Sequence, residues 1–227
     1  MTAITDNLDL FLRGFGYTVA LFVVAGIGSM LLGTFLVAMR VGPIAIMRAA
    51  ATTYVTVVRN TPLVVVFAFF SFAAPMIGIT FGFLDIRIGG FYFTDFFGAA
   101  VVSLVLYTST FVCEALRSGI NAVPLGQAEA ARAVGLPFTG VMTQVVLPQA
   151  FRASVPPLAS VQIAMLKNTS VAAVFGIAEA VSQMRSLTND YASQRTVIFI
   201  CFALGYIVLV ELLSFGANRI ERRWRIA

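Results

Sequence analysis

The chain has 227 residues and a mean hydropathy of +0.94, with 59% hydrophobic and 11% charged residues. An ordinary soluble domain is roughly 25% charged, so this composition excludes a soluble fold and indicates a polytopic membrane protein. The formal charge is +5, there is no histidine, and the two cysteines lie far apart in apolar runs, which argues against histidine catalysis, a Cys/His zinc site and a disulfide framework.

Five segments are long and apolar enough to cross a bilayer, which takes roughly 20 residues. The first, 16–39, is uncharged, and each of the others carries at most one charged residue. We predict an all-α polytopic membrane protein with five transmembrane helices in one domain, 16–218, preceded by an extracytoplasmic segment, 1–15. The remaining predicted spans are 61–81, 96–116, 157–178 and 196–217.

The arginines decide the orientation, because positive residues in short loops stay cytosolic. With the amino end outside, the inner segments hold ten arginines and two acidic residues, whereas the outer segments hold four arginines and six acidic residues, Glu179 among them. We therefore predict an N-out, C-in topology with a cytosolic basic tail, 219–227. No basic run is interleaved with stacking aromatics, so nucleic acid is not an expected partner.

The longest inner connection, 117–156, contains a jointed polar segment. Three alanines at 130, 131 and 133 predict a helix with little side-chain bulk. Gly135 ends that helix and Pro137 blocks its continuation. A second short helix is predicted over 138–147, before Pro148. This cytosolic helix-turn-helix could place its slim first helix in the groove of another protein, and Glu129 and Arg132, three residues apart, can pair with each other or with that partner.

Lys167 is the most costly residue of the predicted spans. Counted from Pro157 at 1.5 Å per helical residue, it lies about 15 Å into a hydrocarbon core about 30 Å thick, where a charge requires a cavity or a partner. Asn168, Thr169 and Ser170 follow it and predict a polar lining. The alternative is that Lys167 serves helix packing or pairs with a partner's carboxylate.

At the inner end of the third span, Glu114 is predicted to pair with Arg117, three residues on.

Four blocks of residues occur in an order that resembles a known family. The blocks are Arg59-Asn60-Thr61-Pro62-Leu63, Tyr107-Thr108-Ser109 with Glu114, Arg117 and Gly119, the segment from Val123 to Pro157 with Glu129-Ala130-Ala131, and Lys167-Asn168-Thr169-Ser170. They are similar to the permease subunits of ABC importers for polar amino acids, the histidine/glutamine/glutamate type, and most like a glutamate uptake permease. The resemblance implies a type I ABC importer transmembrane domain.

The resemblance also implies roles for particular residues. The loop that contains Glu129-Ala130-Ala131 would be the coupling loop, which docks into a groove of a cytosolic ATPase. Its coupling residues would be Gly126, Gln127, Glu129, Ala130, Ala131, Arg132, Gly135, Leu136 and Pro137. The substrate pathway would be bordered by Lys167, Asn168, Thr169, Ser170, Asn60 and Thr61.

Partners follow from the same resemblance. The sequence has no Gly-rich phosphate-binding loop ending in Lys-Ser/Thr, so no cofactor is expected in this chain, and ATP and Mg²⁺ would belong to a separate ATPase dimer. A second permease subunit, identical or paralogous, and an extracytoplasmic solute-binding protein would complete the importer. The expected location is the bacterial cytoplasmic membrane, with several spans in contact with lipid.

The cargo is predicted from Asn168. Many members of the family carry an aspartate there, which suits a cationic side chain, whereas here the position is neutral, and the predicted span carboxylates are only Glu114 and Glu211, near inner helix ends. Glutamate, aspartate or their amides are therefore favoured. The alternatives are a basic amino acid whose counter-charge comes from the partner subunit, an uncoupled channel or scaffold, and an intramembrane hydrolase with a Ser170 and Lys167 dyad.

Overall fold

The computed structural model describes residues 2–82 and 86–224, and these are predominantly helical. The α-helices are α1 Thr2–Thr5, α2 Leu8–Val41, α3 Ala45–Asn60, α4 Leu63–Ala68, α5 Ala74–Met76, α6 Asp95–Asn121, α7 Leu125–Ala133, α8 Phe138–Gly140, α9 Leu147–Asn168, α10 Ala180–Asp190 and α11 Arg195–Trp224. π-Helical segments join α4 to α5 (Phe69–Ala73) and α8 to α9 (Val141–Val146), and 3-10 helices follow α9 (Thr169–Phe175) and precede α11 (Ala192–Gln194). The prediction of an all-α fold is confirmed.

Within the described residues, four helices are long and apolar enough to span a membrane, and a bent pair of helices meets the same criteria when its two parts are taken together. The pair consists of Ala45–Asn60 and Leu63–Met76, which meet at 102°. The bend lies at Thr61, whose backbone is extended (φ −86°, ψ 131°). A residue before proline is displaced from the α region by the proline ring, so Pro62 separates the two helices. The helical part of the predicted second span therefore begins at Leu63, after the bend, and ends at Met76.

Helix α3 has no counterpart among the predicted elements, because its sequence was assigned to an inner loop. Ala51 and Val55 are buried and pack with Leu36, Val37 and Cys113, while most of its other residues are exposed or half-exposed. The apolar positions four residues apart form one face of the helix. This helix therefore lies along the ends of α2 and α6 that carry Arg40 and Glu114.

The predicted helix 138–147 does not stop before Pro148. The chain continues from α8 through the π-helical segment into α9, and Pro148, Pro156 and Pro157 all lie within helix. Pro148 occupies one of the first two positions of α9. Proline has no amide hydrogen to donate. The π-helical turns before it pair amides and carbonyls five residues apart and so change which carbonyl would need that donor. The fourth span therefore begins well before Pro157, and Lys167 is the penultimate residue of α9 instead of its midpoint.

Helices α2, α6 and α9 form the centre of the molecule. A Cβ on Gly28 would contact Val105 at 2.6 Å, and one on Gly33 would contact Val112 at 2.5 Å, so α2 approaches α6 as closely as glycine allows. The main core then includes the buried side chains of Leu21, Phe67, Phe97, Leu104, Met165 and Phe175. Helices α10 and α11 pack around α1 and the start of α2.

A short hairpin precedes α6. Strands β1 Ile86–Ile88 and β2 Phe91–Phe93 pair antiparallel, with Ile86 opposite Phe93, and Gly89 and Gly90 have positive φ values of 55° and 84°. Such a pair suits the two-residue turn of a hairpin. Asp85 of the predicted outer loop lies outside the described residues, as do residues 225–227 of the predicted basic tail.

Candidate functional site

The coupling loop folds as a helix followed by a rigid turn. Helix α7 ends where Gly135 adopts φ +91°, a conformation that only glycine enters without strain. The Gly135 amide donates to Arg132 O at 2.9 Å and the Leu136 amide donates to Ala131 O at 3.1 Å. Pro137 then precedes α8. The predicted first helix and its turn are therefore present, and they are fixed by local hydrogen bonds.

One face of this loop is open and the other is packed. The exposed members of the predicted set are Gly126, Gln127, Glu129, Ala130, Arg132, Gly135 and Pro137. Leu136 is half-buried, and Ala131 is 7% exposed and packs against Val141 and Val146. The Gln149 side-chain amide donates to Gln127 Oε1 at 2.5 Å, which ties α7 to α9. Ala131 therefore supports the loop, while its neighbours are available to a partner.

The predicted polar lining is divided by the structure. Asn168 lines a groove between α6 and α9, and Lys167 and Ser170 line a different groove between α9 and α11. Thr169 is fully buried and donates to Leu166 O at 2.7 Å. Successive helical residues point about 100° apart, so neighbours in sequence face different helices. The four residues of the predicted polar lining therefore do not share one groove within this chain.

The groove that contains Asn168, here the Asn168 groove, has a volume of about 360 Å³. The side chains that line it are Tyr107, Thr108, Phe111, Ser160, Val161, Ala164, Met165 and Asn168. The hydroxyl of Thr108 is buried without a hydrogen-bond partner in the described part of the chain, and a buried unsatisfied hydroxyl is costly. The groove is therefore lined by uncharged polar and apolar side chains, with one unsatisfied hydroxyl buried in its wall.

The groove that contains Lys167, here the Lys167 groove, has a volume of about 440 Å³ and carries opposite charges. Glu211 lines it together with Ser170, Tyr206 and three apolar residues. Lys167 and Glu211 are both exposed, and no ion pair joins them within the described ranges. Charged groups in spanning helices are costly without a partner or a water-filled cavity, so this groove requires one or the other.

The other two pathway candidates lie elsewhere. Asn60 ends α3 and Thr61 forms the bend before α4, where its hydroxyl donates to Val57 O at 2.9 Å. Neither residue lines the Asn168 groove or the Lys167 groove. The structure therefore places them at the bend between α3 and α4.

Over the described residues, no group of three or more His, Cys, Asp or Glu side chains is arranged to hold a metal ion.

Glu114 has more partners than predicted. Its Oε2 lies 3.9 Å from Arg117 Nη1, as expected from the sequence. A shorter contact joins Oε1 to Arg40 Nη1 at 2.6 Å, and Arg59 Nη1 lies 3.8 Å from the same oxygen. The carboxylate thus joins the ends of α2, α3 and α6, and the contact with Arg40 is the one at hydrogen-bonding distance.

Glu179, which the sequence analysis counted among the acidic residues of the outer segments, lies in the connection before α10 and is not an exposed loop residue. The residue is fully buried and caps α10 by accepting hydrogen bonds from the amides of Val181 and Ser182, each at 3.0 Å. Tyr206 of α11 donates to Oε2 at 3.0 Å, and Thr18 of α2 lies 3.5 Å from it. Burial is the largest influence on this carboxyl and raises its pKa, and these hydrogen bonds oppose the rise. The sequence signal that could have indicated this cap is an acidic residue directly before a helical stretch.

A Glu179→Ala variant should be less stable by about 1–3 kcal/mol, because two helix amides and the Tyr206 hydroxyl lose their acceptor in a buried site. Thermal unfolding of the detergent-solubilised protein measures this. Asp190→Ala, at the exposed other end of the same helix, is the control and should leave the midpoint nearly unchanged. Equal midpoints for wild type and Glu179→Ala would contradict the capping role.

The chain resembles known membrane transport proteins over almost its whole length. Residues 29–226 match the family model described as binding-protein-dependent transport system inner membrane component. A glutamate transport system permease protein, GluC of Corynebacterium efficiens, is 42% identical over 216 residues, which cover 95% of this chain and 94% of the relative. The glutamate/aspartate import permease protein GltJ of Escherichia coli is 30% identical over 228 residues, which cover 98% of this chain and 90% of the relative.

A solved structure has a similar fold. The crystal structure of an amino acid ABC transporter with histidines contains a chain that superimposes with a TM-score of 0.83 at 29% identity. The superposition covers 97% of this chain and 96% of the other. The similarity therefore extends over almost the whole length of both chains.

Proposed function

Because the chain belongs to the family of binding-protein-dependent transport system inner membrane components, as a permease subunit of an amino-acid ABC importer, we propose that it imports an acidic amino acid or its amide through the Asn168 groove. The observation that carries this proposal is the uncharged polar lining of that groove. A cationic cargo would meet no carboxylate there. The names of GluC and GltJ, which refer to glutamate and to glutamate/aspartate, support the same class of cargo.

The carboxylates near the spans do not change this preference. Glu179 is fully buried and its oxygens already accept hydrogen bonds from the protein. Glu211 lines the Lys167 groove and not the Asn168 groove, and it shares that groove with the ammonium group of Lys167. Glu114 is surrounded by arginines. A basic amino acid would therefore depend on a counter-charge from the partner subunit, which is the alternative function.

The exposed face of α7 is proposed as the surface that receives the energy of ATP hydrolysis. An importer of this family works with an ATPase and a solute-binding protein. Glu129, Ala130 and Arg132 form an open, mostly slim surface, and Gly135 and Pro137 join it rigidly to α9. The excess of arginines in the segments next to this loop supports its cytosolic location, with the amino end outside. The membrane core of the importer is proposed to contain two permease subunits, which are identical or paralogous. Each subunit is proposed to form a single membrane domain.

Co-purification followed by a cargo screen tests the proposal. The complex isolated through this chain should contain an ATPase and, once reconstituted with its solute-binding protein, should show ATPase activity stimulated by glutamate, aspartate, glutamine or asparagine. Stimulation by arginine or lysine alone would overturn the proposed cargo. Association with no ATPase, or uptake unaffected by deletion of residues 127–137, would favour an uncoupled channel or scaffold.

An Asn168→Asp variant should shift selectivity toward basic amino acids. A carboxylate in the groove repels an acidic cargo and attracts a cationic one, and unit charges about 4 Å apart at a protein surface interact by about 4 kcal/mol. We expect the ratio of arginine to glutamate uptake to rise at least tenfold. Competition uptake in proteoliposomes measures it, with Asn218→Asp, at an exposed site of α11, as the matched control. An unchanged ratio would remove Asn168 from the pathway.

A further inference from the structure

One face of α6 stays open although most of this helix is buried. Tyr107, Phe111 and Glu114 are partly exposed, and positions spaced four and three residues apart lie on one side of a helix. Tyr107 and Phe111 line the Asn168 groove. Glu114 follows Phe111 by three residues, about 4.5 Å along the helix axis. A solute that leaves the groove toward the coupling loop would therefore next meet the surroundings of Glu114.

Those surroundings are strongly positive. Arg40, Arg59 and Arg117 all lie within 4.0 Å of the single carboxylate of Glu114, so the cluster has a formal charge of +2. The side chain of Arg40 is 9% exposed, whereas those of Arg59 and Arg117 are 46% and 44% exposed. The two exposed guanidinium groups come from different helices, α3 and α6, and both lie next to the same carboxylate.

Arg40 alone is sufficient to neutralise the charge of Glu114 through an ion pair. Their 2.6 Å contact is a charge-assisted hydrogen bond, for which distances of about 2.7–2.9 Å are typical. The contacts of Arg59 and Arg117, at 3.8 and 3.9 Å, are too long for such a bond. A structural ion pair needs only one arginine, so the two exposed ones provide donors and charge that the fold does not require.

We propose that Arg59 and Arg117 form an anion site on the inner part of the pathway, which receives the side-chain carboxylate of an acidic amino acid after it leaves the Asn168 groove. A guanidinium group binds a carboxylate through two parallel hydrogen bonds. An amide cargo gains little from such a site, and a basic cargo is repelled by it. The inference rests on the proposed function and narrows it from acids or amides to acids.

The test compares charge-removing variants in the complete reconstituted importer. Arg59→Gln, Arg117→Gln and the double variant should lower glutamate uptake at least tenfold, while the permease stays folded and still co-purifies with the ATPase. Arg59→Lys, which keeps the charge, should recover at least half of the uptake. Arg48→Gln is the matched control, since Arg48 is an exposed arginine of α3 that donates to Gly42 O, and it should leave uptake unchanged.

Each other outcome overturns the inference in a distinguishable way. Loss of folded permease or of the bound ATPase in these variants would indicate a role in holding α3 against α6. Unchanged glutamate uptake in the double variant would show that the arginines do not meet the cargo. An effect present in vesicles with phosphatidylglycerol and absent in phosphatidylcholine alone would assign the site to lipid phosphate. If the wild type imports amides but no glutamate, the acidic cargo itself is excluded.

Discussion

A Gly119→Ala variant is expected to yield little folded protein. Gly119 lies where α6 crosses α9, and a Cβ there would be 1.9 Å from Ser154 Oγ and 2.4 Å from Ala150 O. The serine can rotate, but the backbone carbonyl of Ala150 cannot move without displacing α9. Forced overpacking typically costs 1–3 kcal/mol, and a clash with backbone belongs at the upper end, about 3 kcal/mol. Thermal unfolding and the monodisperse yield after size-exclusion chromatography measure the loss.

The control for this variant is Gly216→Ala. Gly216 also lies within a helix, α11, but has nothing within 4 Å of its Cβ position. Alanine is a better helix former than glycine by about 1 kcal/mol, so this variant should be as stable as the wild type or slightly more so. Adding Ser154→Ala to Gly119→Ala should recover only part of the stability, because the clash with Ala150 O remains. Full recovery would show that α9 is less constrained than the contact implies.

The coupling loop could be predicted because its determinants are local. Gly135 has the positive φ that its place after a helix suggested, and Pro137 begins the next turn. The same local argument failed at Pro148, where the π-helical segment lets the helix continue. Proline ends a helix only if no other backbone arrangement satisfies the neighbouring carbonyls, and a single sequence does not reveal that arrangement.

The pathway residues depend on tertiary packing, which is why they were only partly predicted. The sequence placed Lys167 and Asn168 together, but α6 lies on one side of α9 and α11 on the other, so the two residues face different grooves. Glu179 was counted among the acidic residues of the outer segments, yet Thr18 and Tyr206 from distant parts of the chain enclose it. The amphipathic helix α3 was hidden because its exposed face resembles a polar loop.

An Ala130→Trp variant is expected to uncouple the importer without unfolding this chain. Ala130 is exposed on the proposed docking face of α7, where only a slim helix would fit a partner's groove. Forcing extra volume into a packed contact typically costs about 1–3 kcal/mol, and the upper value corresponds to roughly a hundredfold loss of association with the ATPase. Cargo-stimulated ATPase activity and co-purification of the ATPase measure this loss.

Two matched tryptophan variants separate docking from folding. Ala131→Trp alters the next residue, which is buried against Val141 and Val146, and should lower the unfolding temperature of the isolated permease. Ala130→Trp should leave that temperature unchanged, as should Ala50→Trp on the exposed side of α3. Only the variant at Ala130 should lose the ATPase while the permease stays folded. If Ala130→Trp retains full coupling, the docking surface does not include this face of α7, and the ATPase must bind another part of the inner surface.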